Sequence, residues 1–234
     1  MNTCRIMTYN IRHGQGMDRK VDLARIADLI VASGADLVAL QEMDRETARV
    51  AGVDQVAELA GRTGMRAAFS KSIDLQSGVY GNAILSRFPI LAERCCALPG
   101  KEPRSALACE VSLPGGDVLR FASTHLDLVD EFRVASAPVL VDFLADLEPL
   151  PTILCGDFNA LPESETLGAF IRAGWEASPG DQASPSYPAD EPDIRIDYIL
   201  SQGLAANMVL SDACVIDEAL ASDHRPVTAS LLVS

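Results

Sequence analysis

Apolar positions along the chain follow two alternating periods, one typical of strands and the other of helices. Residues 4–11 form a short apolar run of the strand kind, and residues 21–34 follow with apolar side chains at helical spacing. Gly34 is expected to end that helix, because glycine readily adopts the left-handed conformation found at helix ends. A strand-like run at 36–42 and a helical segment at 54–64 repeat the order. The N-terminal part is therefore predicted to alternate strand and helix.

Strand-like segments follow one another more closely along the sequence from about Phe69 onward. Apolar runs at 80–88, 105–113 and 117–126 have strand-like composition, and a Pro-Gly-Gly sequence at 114–116 joins the last two. Such a turn predicts a hairpin, so this part of the sheet is expected to be antiparallel.

The remainder of the chain predicts two more helices and further strands. A long helix is expected at 130–147, where Pro138 implies either a late start or a kink. A short helix is expected to end near Gly174, followed by a proline-rich loop at 178–192. Strand-like runs lie at 152–159, 195–201, 208–216 and 226–233. Mixed strands with a few helices outside them predict two packed sheets flanked by helices, and we interpret residues 1–234 as one domain.

Composition and charge narrow the class of protein. The chain is 48% hydrophobic and carries a formal net charge of −14, from 19 basic and 33 acidic residues. A broadly acidic surface repels phosphate backbones, so tight duplex DNA binding is disfavoured. We find no signal peptide and no apolar run of membrane-spanning length, so a soluble cytoplasmic protein is expected. The six cysteines lack the paired spacing of a zinc site and are expected to be free buried thiols.

The segment CGDFNALP at 155–162 places Asp157 and Asn159 two positions apart where an apolar run ends. On an extended chain such residues share a face, and two oxygen-bearing side chains there suit a hard cation or a nucleophilic water. A turn is the competing interpretation, since both residue types bond their own backbone after strands. Polar residues at other strand ends favour one shared pocket at a sheet rim. They are Asn10, Glu42, His125, Asp197, Asp223 and His224.

Seven short motifs occur in one order across the chain: TYNIRHG, LQE, GNAILSR, STHLD, GDFN, RIDYI and SDHRPV. The ordered set resembles the endonuclease/exonuclease/phosphatase superfamily with the DNase I-like fold. This resemblance implies an α/β (α+β) fold, namely a four-layer sandwich of two mixed, mainly antiparallel sheets flanked by helices. It also implies hydrolysis of phosphate esters with Mg²⁺, for which Mn²⁺ substitutes.

The resemblance implies that one side of the expected pocket binds the metal and that the other side holds the nucleophilic water. Glu42 matches the main metal carboxylate, with Asn10 and Asp223 near the same ion. Asp157 and Asn159 match the pair that aligns the attacking water, and Asp157 is the candidate general base. Hard oxygen ligands of this kind suit Mg²⁺, which keeps several waters of its own.

Further matched positions concern the phosphate. His224 resembles the histidine that stabilises the phosphoryl oxygens, and Asp197 the carboxylate that holds its tautomer. His125 matches a second histidine at the phosphate or the leaving group. Arg104 and Asn82 fall where residues that contact substrate are expected.

Three functions are compatible with these motifs. We favour a phosphodiesterase or phosphatase acting on a small or lipid-derived phosphate, because the chain is acidic and without basic runs. A metal-dependent nuclease is the alternative, since sixteen arginines leave room for a basic groove. A non-catalytic binding module is least compatible, because all the matched catalytic positions are present. The sequence leaves open the number of metals, the oligomeric state and the roles of His13 and Tyr187.

Overall fold

Strands of two sheets and the helices outside them make up the computed structural model, which describes residues 2–179 and 184–234. Sheet 1 contains β1 (Asn2–Asn10), β2 (Leu37–Arg45), β3 (Arg66–Leu75), β4 (Gly78–Ser86), β11 (Met208–Val215) and β12 (Val227–Val233). Sheet 2 contains β5 (Ile90–Leu98), β6 (Arg104–Ser112), β7 (Val118–His125), β8 (Thr152–Asp157), β9 (Glu176–Ala177) and β10 (Asp197–Gln202). The spatial orders are β11-β12-β1-β2-β4-β3 and β5-β6-β7-β8-β10-β9.

One parallel pair lies inside each sheet, β1 with β2 and β7 with β8. The other paired strands in the described part of the chain are antiparallel. Parallel neighbours bring their carboxyl ends to one edge of a sheet, and His125 accordingly pairs in register with Asp157. The two edges meet, because Asn10 of sheet 1 hydrogen bonds Asp157 of sheet 2 over 3.0 Å.

Four helices cover the outer faces of the two sheets in the described residues. Those on sheet 1 pack through Ile26, Ile30 and Leu59, and those on sheet 2 through Leu140 and Phe170. They are α1 (Leu23–Ser33), α2 (Gln55–Thr63), α3 (Asp130–Ala145) and α4 (Glu165–Arg172). The result is a four-layer arrangement of helices, sheet, sheet and helices, as the motifs implied.

The strand β1 is buried on both faces, which accounts for its nearly continuous apolar sequence. Ile6 packs between the sheets with Leu107 and Phe121, whereas the next residue, Met7, packs against Ile26 on the outer face. Alternate side chains therefore serve two separate cores.

Most of the helix and strand boundaries that the sequence predicted are confirmed. The helix α1 starts after Asp22, whose side chain accepts a hydrogen bond from the Arg25 N–H, and ends at Gly34 with a φ of 70°. The Pro-Gly-Gly turn joins β6 to β7 as an antiparallel hairpin. The late start of the third helix was wrong, because α3 begins at Asp130 and runs through Pro138.

Some sequence-based predictions were incomplete, and part of one predicted loop lies outside the described residues. The edge strand β5 was not predicted, because charged residues such as Glu93 and Arg94 interrupt its apolar pattern. Residues 180–183 of the predicted proline-rich loop lie outside the described residues. All six cysteines are free, but Cys95 is exposed, so the expectation of burial holds only in part. Within the described residues, none of the helices is both long and apolar enough to cross a membrane.

Candidate active site

Asp157, the last residue of β8, lies at the centre of the candidate site and is 1% exposed. Its Oδ2 lies 3.0 Å from Asn10 Nδ2, 3.5 Å from His125 Nε2 and 3.6 Å from His224 Nε2. Its Oδ1 accepts a hydrogen bond of 2.9 Å from the N–H of Asn159. Burial raises the pKa of Asp157 to about 7, although His224 opposes the shift. A carboxyl group with such a pKa can accept a proton near neutral pH.

The backbone around Asp157 combines a turn with two polar side chains that line the same cleft. A Cβ at Gly156 would lie 2.1 Å from the carbonyl oxygen of Thr124, so glycine allows β8 to run this close to β7. Asn159 has a φ of 48° and bonds Asp157 as in a turn. Both polar side chains nevertheless line one cleft, while Phe158 packs in the core.

His224 is held between two carboxylates. Its Nδ1 lies 3.0 Å from Asp197 Oδ2, and that oxygen also accepts a hydrogen bond of 2.6 Å from Ser186 Oγ. Burial lowers the pKa of His224, but Asp197 and Asp157 outweigh burial and raise it to about 10. The imidazole is therefore a buried cation at neutral pH, with its Nε2 directed to the centre of the site.

His125 behaves differently, although it is equally buried. Its pKa lies well below the usual range because burial, Arg104 and His224 all disfavour the charged ring. The Nδ2 of Asn159 donates to His125 Nε2 over 3.2 Å and to the carbonyl of Leu126 over 3.0 Å. His125 is thus a neutral imidazole that accepts through Nε2, and it supplies no positive charge to the site.

Glu42 reaches the site through an irregularity in β2. The register between β2 and β4 shifts between Leu40 and Met43, and Glu42 inside this bulge has a φ of 59°. A left-handed conformation is costly for glutamate, and such strain is concentrated at functional sites. The bulge lets Glu42 leave the strand alternation and line the cleft.

Asn10 hydrogen bonds to both acidic groups. Its Nδ2 donates to Glu42 Oε1 over 3.1 Å and to Asp157 Oδ2 over 3.0 Å. Its Oδ1 accepts from the backbone N–H of Arg12 over 3.1 Å. The amide of Asn10 thus orients two carboxylates, and its expected position beside the metal stays a prediction.

The oxygen-rich side of the cleft is formed by Glu42 and Asp223. Burial raises the pKa of Glu42, Asn10 opposes the shift, and the nearby charge of Asp223 adds to it. A divalent cation would relieve this repulsion, and carboxylate oxygens are its preferred ligands. The positive charge of Arg12 partly relieves this repulsion, because its Nε lies 3.3 Å from Asp223 Oδ2. These donors fit a Mg²⁺-type ion.

A second acidic group consists of Asp157, Asp197 and His224, whose ligand atoms lie within 4.8 Å of one another. Within this group, His224 Nδ1 and Asp197 Oδ2 already form a hydrogen bond. A positively charged imidazole is also a poor metal ligand. We therefore interpret this group as a hydrogen-bonded triad.

The cleft has a volume of about 470 Å³ and contains residues that the motifs did not indicate. Leu128 and Arg133 line it, and Arg133 is fixed by the carbonyls of Asp127 and Leu128. The ring of Tyr187, whose role the sequence left open, lies 4.8 Å from that of His224. Arg133 follows no recognisable sequence signal, because only the fold brings the start of α3 to this edge.

The two residues that were expected to contact substrate lie in different environments in the structure. Arg104 lines the cleft, with its side chain 7% exposed and its Nη1 2.9 Å from Glu102 Oε1. Asn82 is buried in β4, and its Nδ2 donates to the carbonyl of Ser105 over 2.8 Å. Asn82 is not among the residues that line the cleft, so its contacts are those of a support for the start of β6.

Comparisons with known proteins agree with this arrangement. A model described as "Endonuclease/Exonuclease/phosphatase family" matches residues 7–224. The uncharacterized protein YbhP of Escherichia coli (strain K12) is 25% identical over 97% of this chain and 95% of its own length.

Solved structures match over the whole chain. An endonuclease/exonuclease/phosphatase from Beutenbergia cavernae is 23% identical with a TM-score of 0.82, covering 100% of this chain and 72% of that one. The mannosyl-6-phosphatase Bt3783 of Bacteroides thetaiotaomicron is 20% identical with a TM-score of 0.79, covering 98% of this chain and 100% of that one. At these identities the likeness shows the fold, which is DNase I-like.

Proposed function

This chain belongs to the endonuclease/exonuclease/phosphatase family, and from that premise we propose that it is a Mg²⁺-dependent hydrolase of phosphate esters. The family supports phosphoester hydrolysis in general. The observation that carries the proposal is the position of Asp157, whose Oδ2 has nitrogen atoms of Asn10, His125 and His224 within 3.6 Å.

Asp157 is the general base in this proposal. A water beside its Oδ2 loses a proton to the carboxylate as it attacks phosphorus, and the raised pKa makes that transfer favourable near neutral pH. The ester P–O bond breaks, and the leaving oxygen takes its proton from solvent. Asn159 directs its Nδ2 to His125 and Leu126, so its remaining amide oxygen orients the same water. Both groups are preorganised by the Asp157–Asn159 turn.

His224 stabilises the negative charge that develops on the phosphoryl oxygens. As a buried cation it provides this stabilisation without reorganisation of solvent. Asp197, which accepts a hydrogen bond from Ser186, holds the ring through Nδ1, so the Nε2 proton remains available. His125, being neutral, positions Asn159 and donates no charge to the phosphate.

Glu42 and Asp223 would hold the metal ion, and Asn10 would orient Glu42 toward it. When bound, Mg²⁺ supplies positive charge that polarises the phosphoryl group and stabilises the transition state. Mn²⁺ prefers the same hard oxygen ligands and is expected to substitute.

We favour a small or lipid-derived phosphate as the substrate. The net charge of −14 opposes a long polyanion, whereas one phosphate can be bound by the buried Arg104 and the cation of His224. Leu128 and Ile194 give the cleft apolar walls that suit an organic leaving group. A nuclease would instead need a basic surface that extends beyond this cleft.

A hydrolysis panel tests the proposal. Purified protein with Mg²⁺ is compared on p-nitrophenyl phosphate, its bis ester, inositol phosphates, sphingomyelin, DNA and RNA. Asp157→Asn serves as the blank, and Asp212→Asn, an exposed aspartate on β11, is the matched control. Turnover that depends on Mg²⁺ and Asp157 is expected on small or lipid phosphates. Turnover restricted to nucleic acid, with a steep salt dependence, would favour the nuclease.

A further inference from the structure

A second pocket, of about 260 Å³, adjoins the catalytic cleft. The two share Glu42, Arg104 and Leu128, so a molecule with its phosphate in the cleft can extend directly into the pocket. The mechanism proposed above uses none of the other residues of this pocket. Its position beside the metal carboxylate makes it a site for the part of the substrate that does not react.

Both guanidinium groups of the pocket are paired with carboxylates. Arg49 donates to both oxygens of the buried Asp44, over 2.6 Å and 2.8 Å, and Arg104 lies 2.9 Å from Glu102. Each guanidinium therefore has a carboxylate partner. The pocket offers many hydrogen-bonding groups without an excess of positive charge, which argues against a second phosphate as its ligand.

Arg104 still has unused hydrogen-bonding capacity. Its side chain is 7% exposed, and its buried Nε has no hydrogen-bond partner among the described residues. The carboxylate of Asp127 lies 4.0 Å from this atom, beyond hydrogen-bond distance. A buried donor without a partner is costly, and a ligand hydroxyl that accepts from it would remove that cost.

The walls of the pocket exclude one common ligand class. Tyr80 is 6% exposed, and the guanidinium of Arg49 covers its ring, with the Cζ 5.6 Å from the ring centroid. The covered ring face is not open for a base to stack on, unlike the aromatic platforms of nucleic-acid sites. Ile73 and Leu75 complete the wall with apolar surface.

We propose that this pocket binds the hydroxylated ring of a phosphorylated polyol, such as a sugar phosphate or an inositol phosphate. This inference rests on the proposed function and names its substrate class. Paired guanidinium and carboxylate groups donate to and accept from neighbouring hydroxyls, and Ile73, Leu75 and Leu128 pack against the C–H face of the ring. The reacting phosphate then lies over Glu42, between Arg104 and His224.

The test compares hexose 6-phosphate and inositol monophosphate with p-nitrophenyl phosphate and a nucleoside 5′-monophosphate as Mg²⁺-dependent substrates. Two variants perturb the pocket without replacing a residue at the reacting phosphate, and p-nitrophenyl phosphate reports any effect that reaches Arg104 through its partner Glu102. Leu75→Trp fills the pocket. Glu102→Gln removes the negative charge that would accept hydrogen bonds from ligand hydroxyls, and it keeps the shape of the side chain. The matched controls are Leu91→Trp and Glu176→Gln, at exposed positions on the edge strands β5 and β9.

We expect the wild type to prefer the polyol phosphates. Each pocket variant should lower kcat/KM for them by about tenfold or more relative to p-nitrophenyl phosphate, the scale expected when hydrogen bonds to substrate hydroxyls are lost. The control variants should keep the wild-type ratio. The Glu102→Gln result remains decisive if Leu75→Trp does not fold.

Two results would overturn the inference, and they are distinguishable. Hydrolysis with equal losses on all substrates, or with a preference for the nucleotide, would remove the polyol assignment while leaving the phosphoesterase intact. Absence of Mg²⁺-dependent turnover on every substrate would instead remove the proposed function and, with it, this inference.

Discussion

Asp157 and Asp197 lie directly opposite each other on the antiparallel strands β8 and β10, and the ring of His224 bridges their carboxylates. Its Nδ1 is 3.0 Å from Asp197 Oδ2 and its Nε2 is 3.6 Å from Asp157 Oδ2. Two buried carboxylates on paired residues repel each other, and the imidazolium compensates both. One β-sheet register therefore places the proposed base, Asp157, and the imidazolium of His224 side by side.

Removing either partner of this arrangement should reduce turnover strongly. Asp157→Asn eliminates the proton acceptor and His224→Gln eliminates the buried cation, so each is expected to lower kcat by about 10²–10³-fold or more. The measurement is Mg²⁺-dependent hydrolysis together with circular dichroism to verify folding. A well-folded Asp157→Asn protein with wild-type kcat would refute the assignment of the base.

Chelation should silence the enzyme. EDTA removes the ion expected at Glu42 and Asp223, and addition of Mg²⁺ or Mn²⁺ in excess should restore turnover. Glu42→Gln should weaken the apparent affinity for Mn²⁺, measured by electron paramagnetic resonance without substrate, by about 100-fold or more, since even outer ligand partners contribute 10–100-fold. Full activity in EDTA would point to a mechanism without a metal.

Gln55, at the start of α2, is expected to position the metal site without touching it. Its Nε2 donates to the carbonyl of His13 over 2.7 Å, and its Oε1 accepts from the Asp44 N–H over 3.0 Å. It thus ties the loop after Asn10 to the bulge that carries Glu42. Gln55→Met, which removes both bonds, should weaken Mn²⁺ binding by about tenfold.

Gln55→Glu separates the two bonds of this residue. It keeps the acceptor for Asp44 and loses the donor to His13, so its Mn²⁺ affinity should fall between those of the wild type and Gln55→Met. Glu58→Ala, on the same helix, is the control for a change that affects α2 alone. Equal Mn²⁺ affinity in all four proteins would show that Gln55 has only a structural role.

Gly156→Ala should destabilise the fold and distort the site. The new Cβ would lie 2.1 Å from the carbonyl oxygen of Thr124, so β7 and β8 must separate just before Asp157. We expect a loss of about 1–3 kcal/mol in the free energy of unfolding, typical of overpacking, with a larger loss in kcat. Gly61→Ala, inside α2 with open space around it, should instead be neutral or stabilising. Urea unfolding of both variants checks the contrast.

His13 should make stability depend on pH. Burial and then Arg49 lower its pKa to about 4, below the value of 6.5 in the unfolded chain. The unfolded state therefore binds more protons between pH 6.5 and 4, and stability should fall as the pH falls through this window. His13→Asn, which tolerates the φ of 45°, should flatten that part of the curve. Urea unfolding from pH 7.5 to 4 measures the difference, and parallel curves would contradict it.

Sequence reasoning indicated the polar residues of the candidate site because they follow strand ends in recognisable motifs. It also predicted α1 and α2 with their terminal glycines, and the hairpin between β6 and β7, since these depend on local chemistry. It missed β5 because an exposed edge strand needs little apolar sequence. It missed Ser186 and Gln55 because their partners are distant along the chain or are backbone groups.

The sequence by itself determined the fold class, the family and the set of polar groups, because these depend on periodicity, turn residues and motif order. Only the tertiary structure decided the contacts and the electrostatic surroundings of each group. Asn10 donates to both Glu42 and Asp157. The pKa of His125 is lowered by burial, whereas that of His224 is raised because Asp197 lies beside it. Such differences arise from distances of a few ångströms between segments far apart in sequence, which no local pattern encodes.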